Sequence, residues 1–484
     1  MRPQFLSEQR SLQPYSANKA TSPKFKDLIK KVVPEALLTS LNLTFKYRKN
    51  KWVLPEVRDA KGLRLLFVHS SGIHLEPVVQ AFLKAGADVF VCNGSYFYQM
   101  NAILGLGKPV MNLARTLTSQ ASRLEREFCT LAQNFLNEGQ DWLPWIDQKA
   151  GVPMKELVAP FFESFFKETC PQILIKAESF QNFYERFQID FMVTHTSADS
   201  FAKSALVAAA LHPSVKSVCI QHCCDVFEDK VMEMTDIDPF DVHFATDSLS
   251  QIRFRQYAQK DYVKPAQVFQ SPHFLINVAA YAKKGTAPAR KKRVLYLPTK
   301  LTVHTRYFNC LVYPITWYFE YQKELLNFFS RQDFQFIYKH QVRNKKYTEN
   351  SLIPYIEARG YKNIKVETAP MMTYFQSVDA IIMDRPTTAL YEAAMSGVPT
   401  LALYPDMIDG LISKEAVDFF GKGVQRFSSH QEAFEKIEEF LNSRPEDYRA
   451  KVPLRDEGIV KTLILLRHVK KGSDAKTYFL KATV

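Results

Sequence analysis

Residues 293–443 alternate strictly between short apolar runs and amphipathic stretches, and this pattern constrains the fold more than any other feature of the chain. Strand-like runs, most of them apolar, stand at 293–299, 334–340, 364–368, 380–384 and 399–404. Segments of helical periodicity separate them, at 313–332, 350–360, 370–378 and 387–397, and a last pair at 424–429 and 430–443 closes the series. Continuous apolar runs of strand length belong to strands covered on both faces, and a strand–helix–strand series brings each strand back parallel to the last. The expectation is a doubly wound α/β domain over 290–445.

The first half carries the same signature less cleanly. Residues 63–68 form an apolar run, a turn with Ser71 and Gly72 follows, and then come an amphipathic segment at 76–86 and a second apolar run at 87–93. That is one βαβ unit. Residues 100–185 read as a helix-rich insertion between sheet strands. Alternation resumes at 189–197, 200–212, 214–224 and 240–247. A Gly-, Pro- and Lys-rich stretch at 281–292 reads as a linker. The predicted layout is a basic extension (1–50), a first Rossmann-like domain (51–285), a second (290–445) and a tail (446–484).

Composition narrows the partners. The chain has 484 residues, 46% of them hydrophobic, enough for more than one core. A formal net charge of +13 favours anionic partners. The charge is not gathered in runs interleaved with aromatics, so no nucleic acid is expected. An anionic membrane surface and phosphorylated small molecules remain. Residues 24–51 interleave basic and apolar positions. They suit either peripheral contact with an anionic membrane or a helix face packed on the first domain. No run of 18 apolar residues occurs, and the first residues lack an apolar signal core, so a cytoplasmic protein is expected. The seven cysteines include a cluster at Cys219, Cys223 and Cys224. No zinc spacing accompanies them, and the expected reading is reduced thiols. The triplet at 236–238 has the Asp-x-Asp form but not the strand edge such metal sites use. Neither a metal nor another cofactor is expected.

In open parallel sheets ligands bind beyond the carboxyl ends of the strands. The run at 380–384 ends in Asp384. Arg385 and Pro386 form a turn, and Thr387 and Thr388 open the next helix. A helix N-terminus suits phosphate, and Glu392, four residues past Thr388, shares its face and suits a ribose diol. The plain alternative is an N-cap at Thr387 and a solvated charge at Glu392. Thr299, Lys339 and His340 stand at two further strand ends, and a lysine there suits a leaving phosphate. Arg343, Lys345 and Lys346 read as solvated. In the first half three histidines stand at strand ends. His222 has Asp225 nearby, His74 lies in the first turn, and His195 is followed by Asp199. Each can serve as the base that takes an acceptor hydroxyl proton. Ser71, Gly72, His195 and Asp199 would line the acceptor side.

The segment 378–404 resembles the nucleotide-binding helix of GT-B enzymes that build bacterial surface polymers. These are the CDP-glycerol glycerophosphotransferases and the capsule-type transferases of Kdo (3-deoxy-manno-octulosonate). The turn Asp384-Arg385-Pro386-Thr387-Thr388, the acid Glu392 and the Gly397-Val398-Pro399 step carry the likeness. Residues 294–299, 336–341, 217–229 and the Ser271-Pro272 step extend it over roughly 190–405. Cys223 and Gln341 stand where that family has Gly and Pro. The resemblance implies a GT-B fold with two domains facing across a cleft. It also implies a nucleotide-activated donor on the second domain. The transferred group would be a sugar, such as Kdo from CMP-Kdo, and the acceptor a glycan or lipid-linked glycan. Glycerol-phosphate transfer from CDP-glycerol, a nucleotide-sugar 2-epimerase and a non-catalytic GT-B scaffold are the alternatives.

Overall fold

The long apolar runs become the central strands of two sheets. The computed structural model describes residues 60–68, 75–93, 96–100, 111–112, 130, 164–197, 200–221, 239–260, 266–271, 292–299, 315–340, 352–406, 412–450 and 458–468. In the first half these form β1 (Arg64–Val68), α1 (Glu76–Lys84), β2 (Asp88–Asn93), β3 (Tyr96–Gln99), β4 (Met111–Asn112), α2 (Cys170–Phe187), β5 (Phe191–Thr194), α3 (Ser200–Leu211), β6 (Lys216–Ile220), β7 (Val242–Ala245), α4 (Ser248–Tyr257) and β8 (Gln267–Gln270). The second half supplies β9 (Arg293–Leu297), α5 (Ile315–Ser330), β10 (Gln335–Lys339), α6 (Ile353–Arg359), β11 (Ile364–Glu367), β12 (Ala380–Met383), α7 (Thr388–Met395), β13 (Thr400–Pro405), α8 (Lys414–Phe420), β14 (Val424–Phe427) and α9 (His430–Asn442). A final helix, α10 (Ile459–Arg467), follows.

The first sheet has eight strands in the order β4-β3-β2-β1-β5-β6-β7-β8. From β2 to β8 every pairing is parallel, while β3 and β4 add an antiparallel edge. Successive strand residues face opposite sides, and both sides are covered. Leu65, Phe67, Val89 and Val91 pack with α1 on one side. Leu66, Val68, Phe90 and Cys92 pack with α2 and α3 on the other. Thus α2, which lies in the stretch expected as an insertion, is the covering helix that leads into β5. Its C-cap, Gln188, adopts a left-handed conformation (φ 48°) and turns the chain into that strand.

The second sheet has the order β11-β10-β9-β12-β13-β14, and every pairing is parallel. This is the strand order of a dinucleotide-type Rossmann domain, with its switch point between β9 and β12. The expected class therefore holds: two doubly wound parallel-sheet domains in one α/β chain. One expected helix does not form. Over 370–378 the chain makes only a 3₁₀ turn, Met371–Tyr374, with i→i+3 bonds such as Thr373 N–H to the Pro370 carbonyl (3.1 Å). Tyr374, Phe375 and Val378 are nonetheless buried. Apolar spacing reported the burial, and the tighter turn satisfies it in less chain.

The tail divides: Tyr448 and Ala450 pack with the second domain, and the helix that follows packs with the first. Ile459, Val460, Leu463 and Leu466 of α10 lie in the apolar cluster beneath β1 and α1. Lys216 Nζ donates to the Leu466 carbonyl (2.6 Å), and Arg467 Nε pairs with Asp190 (3.2 Å). No helix of the described residues is long and apolar enough to cross a membrane.

Candidate functional site

The neighbouring strands β9 and β12 mark the switch point of the second sheet, the place where open α/β sheets bind ligands beyond their carboxyl ends. Asp384 directly follows β12 at this point and is 1% exposed. Its Oδ1 accepts from the Thr299 backbone N–H (2.6 Å). Its Oδ2 accepts from the Tyr296 hydroxyl (2.8 Å) and Gln322 Nε2 (2.8 Å). Gln322 Nε2 also donates to the Thr299 carbonyl (2.9 Å), and the Tyr318 hydroxyl donates to the Asp384 carbonyl (2.5 Å). Burial raises the Asp384 carboxyl, and the hydrogen bonds from Thr299, Tyr296 and Gln322 act against that rise. A buried carboxylate is tolerable only when its lone pairs are satisfied in this way. The result is a knot that ties the ends of β9 and β12 to α5.

From that knot the chain rises into α7. Thr387 is the N-cap: it is extended (φ −147°, ψ −173°), and its hydroxyl accepts from the Ala389 N–H (3.3 Å). Leu390, Tyr391, Ala393 and Ala394 face the core. The remaining stripe, Thr388 and Glu392, is half-buried on the opposite face. Glu392 has no hydrogen bond or ion pair among the described residues, and burial pushes its carboxyl up to about 7. A half-buried carboxyl with vacant lone pairs, one turn above a helix N-terminus, is equipped to accept hydroxyl donors. Arg385 is half-buried in the turn itself.

The neighbouring strand end carries Lys339, which is 7% exposed. Its Nζ donates to the carbonyls of His340 (2.8 Å) and Thr368 (3.4 Å). In this conformation it bridges the loops after β10 and β11. The His340 backbone N–H donates to the Glu367 carbonyl (2.9 Å), and its side chain is half-buried. Thr299, Lys339, His340, Arg385, Thr387, Thr388 and Glu392 therefore stand at the carboxyl ends of β9, β10 and β12, on one edge of one sheet.

On the first sheet, His195 follows β5 and is half-buried. Ser71, Gly72, His74, Asp199, His222 and Asp225 lie outside the described residues, as do Cys223, Cys224, the triplet 236–238, the cationic run at 343–346 and the extension 1–50. Among the described residues no group of His, Cys, Asp or Glu is arranged to hold a metal ion.

Sequence reasoning passed over two polar networks. One is the Asp384 knot, which a tyrosine inside an otherwise apolar strand could have signalled, because a buried phenol needs a partner. The other lies just past β6 and β7. Gln221 Oε1 accepts from the Thr246 N–H (2.8 Å), and its Nε2 donates to the Ser250 hydroxyl (3.3 Å). The Asp247 carboxylate accepts from both the N–H (3.0 Å) and the hydroxyl (2.7 Å) of Ser250, capping α4.

The chain matches no family model and no curated protein. Among solved structures it is similar to the UDP-GlcNAc 2-epimerase of Neisseria meningitidis bound to UDP-GlcNAc. That likeness has 11% identity and a TM-score of 0.45, and covers 84% of this chain and 99% of that one. The UDP-GlcNAc 2-epimerase of Methanocaldococcus jannaschii is similar at 11% identity and TM-score 0.43, over 83% and 98% of the two chains. MurG of Acinetobacter baumannii is similar at 10% identity and TM-score 0.38, over 87% and 99%.

Proposed function

We propose that the chain is a GT-B glycosyltransferase that holds a nucleotide-activated sugar at the switch point of its second sheet. The observation that carries this reading is Glu392: a half-buried carboxyl, without a hydrogen bond or ion pair among the described residues, on the same stripe as Thr388 and one turn into the helix that follows Asp384. In this reading the ribose hydroxyls donate to Glu392. The phosphates meet the first turn of α7, with Arg385 and Thr388 beside it. Lys339 reaches a phosphate only if its ammonium leaves the carbonyls of His340 and Thr368. Its role is then to stabilise the departing phosphate, in place of a metal.

The sugar, Kdo from CMP-Kdo in the closest reading of the motif, passes to a glycan or lipid-linked glycan at the cytoplasmic face of a membrane. The base comes from the first domain, from His222 with Asp225, from His74 or from the His195 and Asp199 pair. The extension 1–50 makes peripheral contact with anionic lipid. A Thr388→Ala, Glu392→Ala double variant tests the donor site by calorimetry with CMP, CDP, UDP and GDP. Lost affinity in a folded protein is the expected result, and unchanged affinity overturns the assignment. Release of free sugar without any acceptor would assign the site to a 2-epimerase instead.

A further inference from the structure

The first turn of α4 touches both halves of the molecule. Leu249 is 6% exposed and lies in the apolar cluster of the second domain, the one first-half residue among that cluster's described members. Its chain neighbour Ser250 is bound into the first sheet, through Asp247 and Gln221. Gln221, Thr246 and Ser250 are 0% exposed and Asp247 is 1% exposed, so the network is dry. A side chain seated in one domain is therefore separated by a single peptide bond from a buried hydrogen-bond network of the other.

Among the described residues the chain also returns from the second domain to the first at α10, which sits at the opposite end of the strands. Lys216 opens β6 and Asp190 precedes β5, and these are the residues that hold Leu466 and Arg467. One link stands at the amino ends of the first sheet and the other at its carboxyl ends. Motion of the second domain about the α10 anchor then bears on Leu249. A packed core and a fully paired polar network respond by switching between discrete arrangements, not by stretching.

We propose that Leu249 couples nucleotide occupancy of the second domain to the arrangement of the Gln221–Thr246–Asp247–Ser250 network. The proposal rests on the nucleotide-site reading above and adds a positioning residue to it. Gln221 is the last described residue past β6 and directly precedes His222 in the chain. Nucleotide bound on the second domain thereby fixes the arrangement of the Gln221 network on the first.

The test is amide exchange on the full-length chain, with and without whichever of CMP, CDP, UDP or GDP raises its melting temperature. Nucleotide slows exchange over 246–257 by about fivefold or more, the low end of usual coupling between sites. Leu249→Ala binds the same nucleotide and loses this response, while Leu249→Met keeps the apolar reach and retains it. A raised melting temperature with unchanged exchange over 246–257 in the wild-type chain overturns the coupling and leaves the nucleotide site standing. Full response in Leu249→Ala also overturns it. No rise with any of the four nucleotides overturns the site and the coupling together. If Leu249→Ala fails to fold, the wild-type response and the Leu249→Met variant still decide.

Discussion

Because the Glu392 carboxyl sits at about 7, nucleotide affinity should depend on pH across the neutral range. Accepting two ribose hydroxyls requires the ionised form. With a pKa of about 7, about a tenth of the sites are ionised at pH 6 and about nine-tenths at pH 8. Binding that selects the ionised form is therefore about tenfold tighter at pH 8 than at pH 6, a difference of about 1.4 kcal/mol. The ribose donors hold the proton off, so binding below pH 7 also releases protons to the buffer. Calorimetry at several pH values, in buffers of different ionisation enthalpy, measures both effects. The nucleotide phosphate itself titrates near pH 6, so the Glu392→Gln profile is the reference to subtract. Affinity that changes less than twofold between the two pH values after that subtraction would refute the role of Glu392. So would a Glu392→Gln variant that binds as tightly as the wild-type chain.

Three further outcomes follow from the packing. In the ligand-free protein the Glu392 pKa is raised above its ordinary 4.5, so the folded state binds the proton more tightly than the unfolded state. Stability is then lost as pH rises from 4.5 through 7, and Glu392→Gln should be more stable than wild type at pH 8 by up to about 3 kcal/mol, but equal to it at pH 4.5; urea melts at the two pH values measure this. Asp384→Ala strands the Thr299 N–H, the Tyr296 hydroxyl and the Gln322 amide in a buried site. It should cost about 3 kcal/mol or more, read as a lower urea midpoint, and an unchanged midpoint would deny the knot. Leu463→Ala opens a cavity where α10 meets the first sheet and should cost about 2–5 kcal/mol, with faster amide exchange at β1 and α1 but not at β12 and β13.

The second sheet was legible because its signal is redundant. Its four inner strands are largely apolar, its edge strands β11 and β14 alternate apolar and polar residues, and its long helices are amphipathic. Gly360 and Gly397, at positive φ, sit just past α6 and α7, where the pattern put the helix ends. The first sheet was less legible at its margins. β8 is only Gln-Val-Phe-Gln, and α4 buries Gln251 and Arg253 alongside Leu249 and Phe254, so neither shows a clean period. The β2–β3 hairpin was signalled by Gly94-Ser95 between two strand-like runs, a two-residue connection whose register puts Asn93 opposite Tyr96. The helical look of the residues that follow obscured it. The docking of α10 on the first domain has no local signature at all, since an amphipathic helix does not name the surface it covers.

The candidate site divides in the same way. Thr387 could be read as a cap, and Thr388 and Glu392 as one helix face, because capping and i,i+4 spacing are local properties. The knot that supports them was not, because Tyr296, Gln322 and Asp384 meet only through the fold, across 88 positions between Tyr296 and Asp384. The same holds for Lys339. Its place at a strand end follows from the pattern, whereas its bonds to the His340 and Thr368 carbonyls depend on how β10 and β11 pair.

The central claim is that the second domain holds a nucleotide at the switch point of its sheet, beyond the carboxyl ends of β9 and β12. Thermal unfolding of the full-length chain with CMP, CDP, UDP and GDP at millimolar concentration tests it most directly. A ligand that binds only the folded state at a hundredfold excess over its Kd stabilises it by about 2.7 kcal/mol. The account predicts a rise in melting temperature with one base class over the others, abolished by the Thr388→Ala, Glu392→Ala pair. No rise with any of the four, or an equal rise in the double variant, would contradict it.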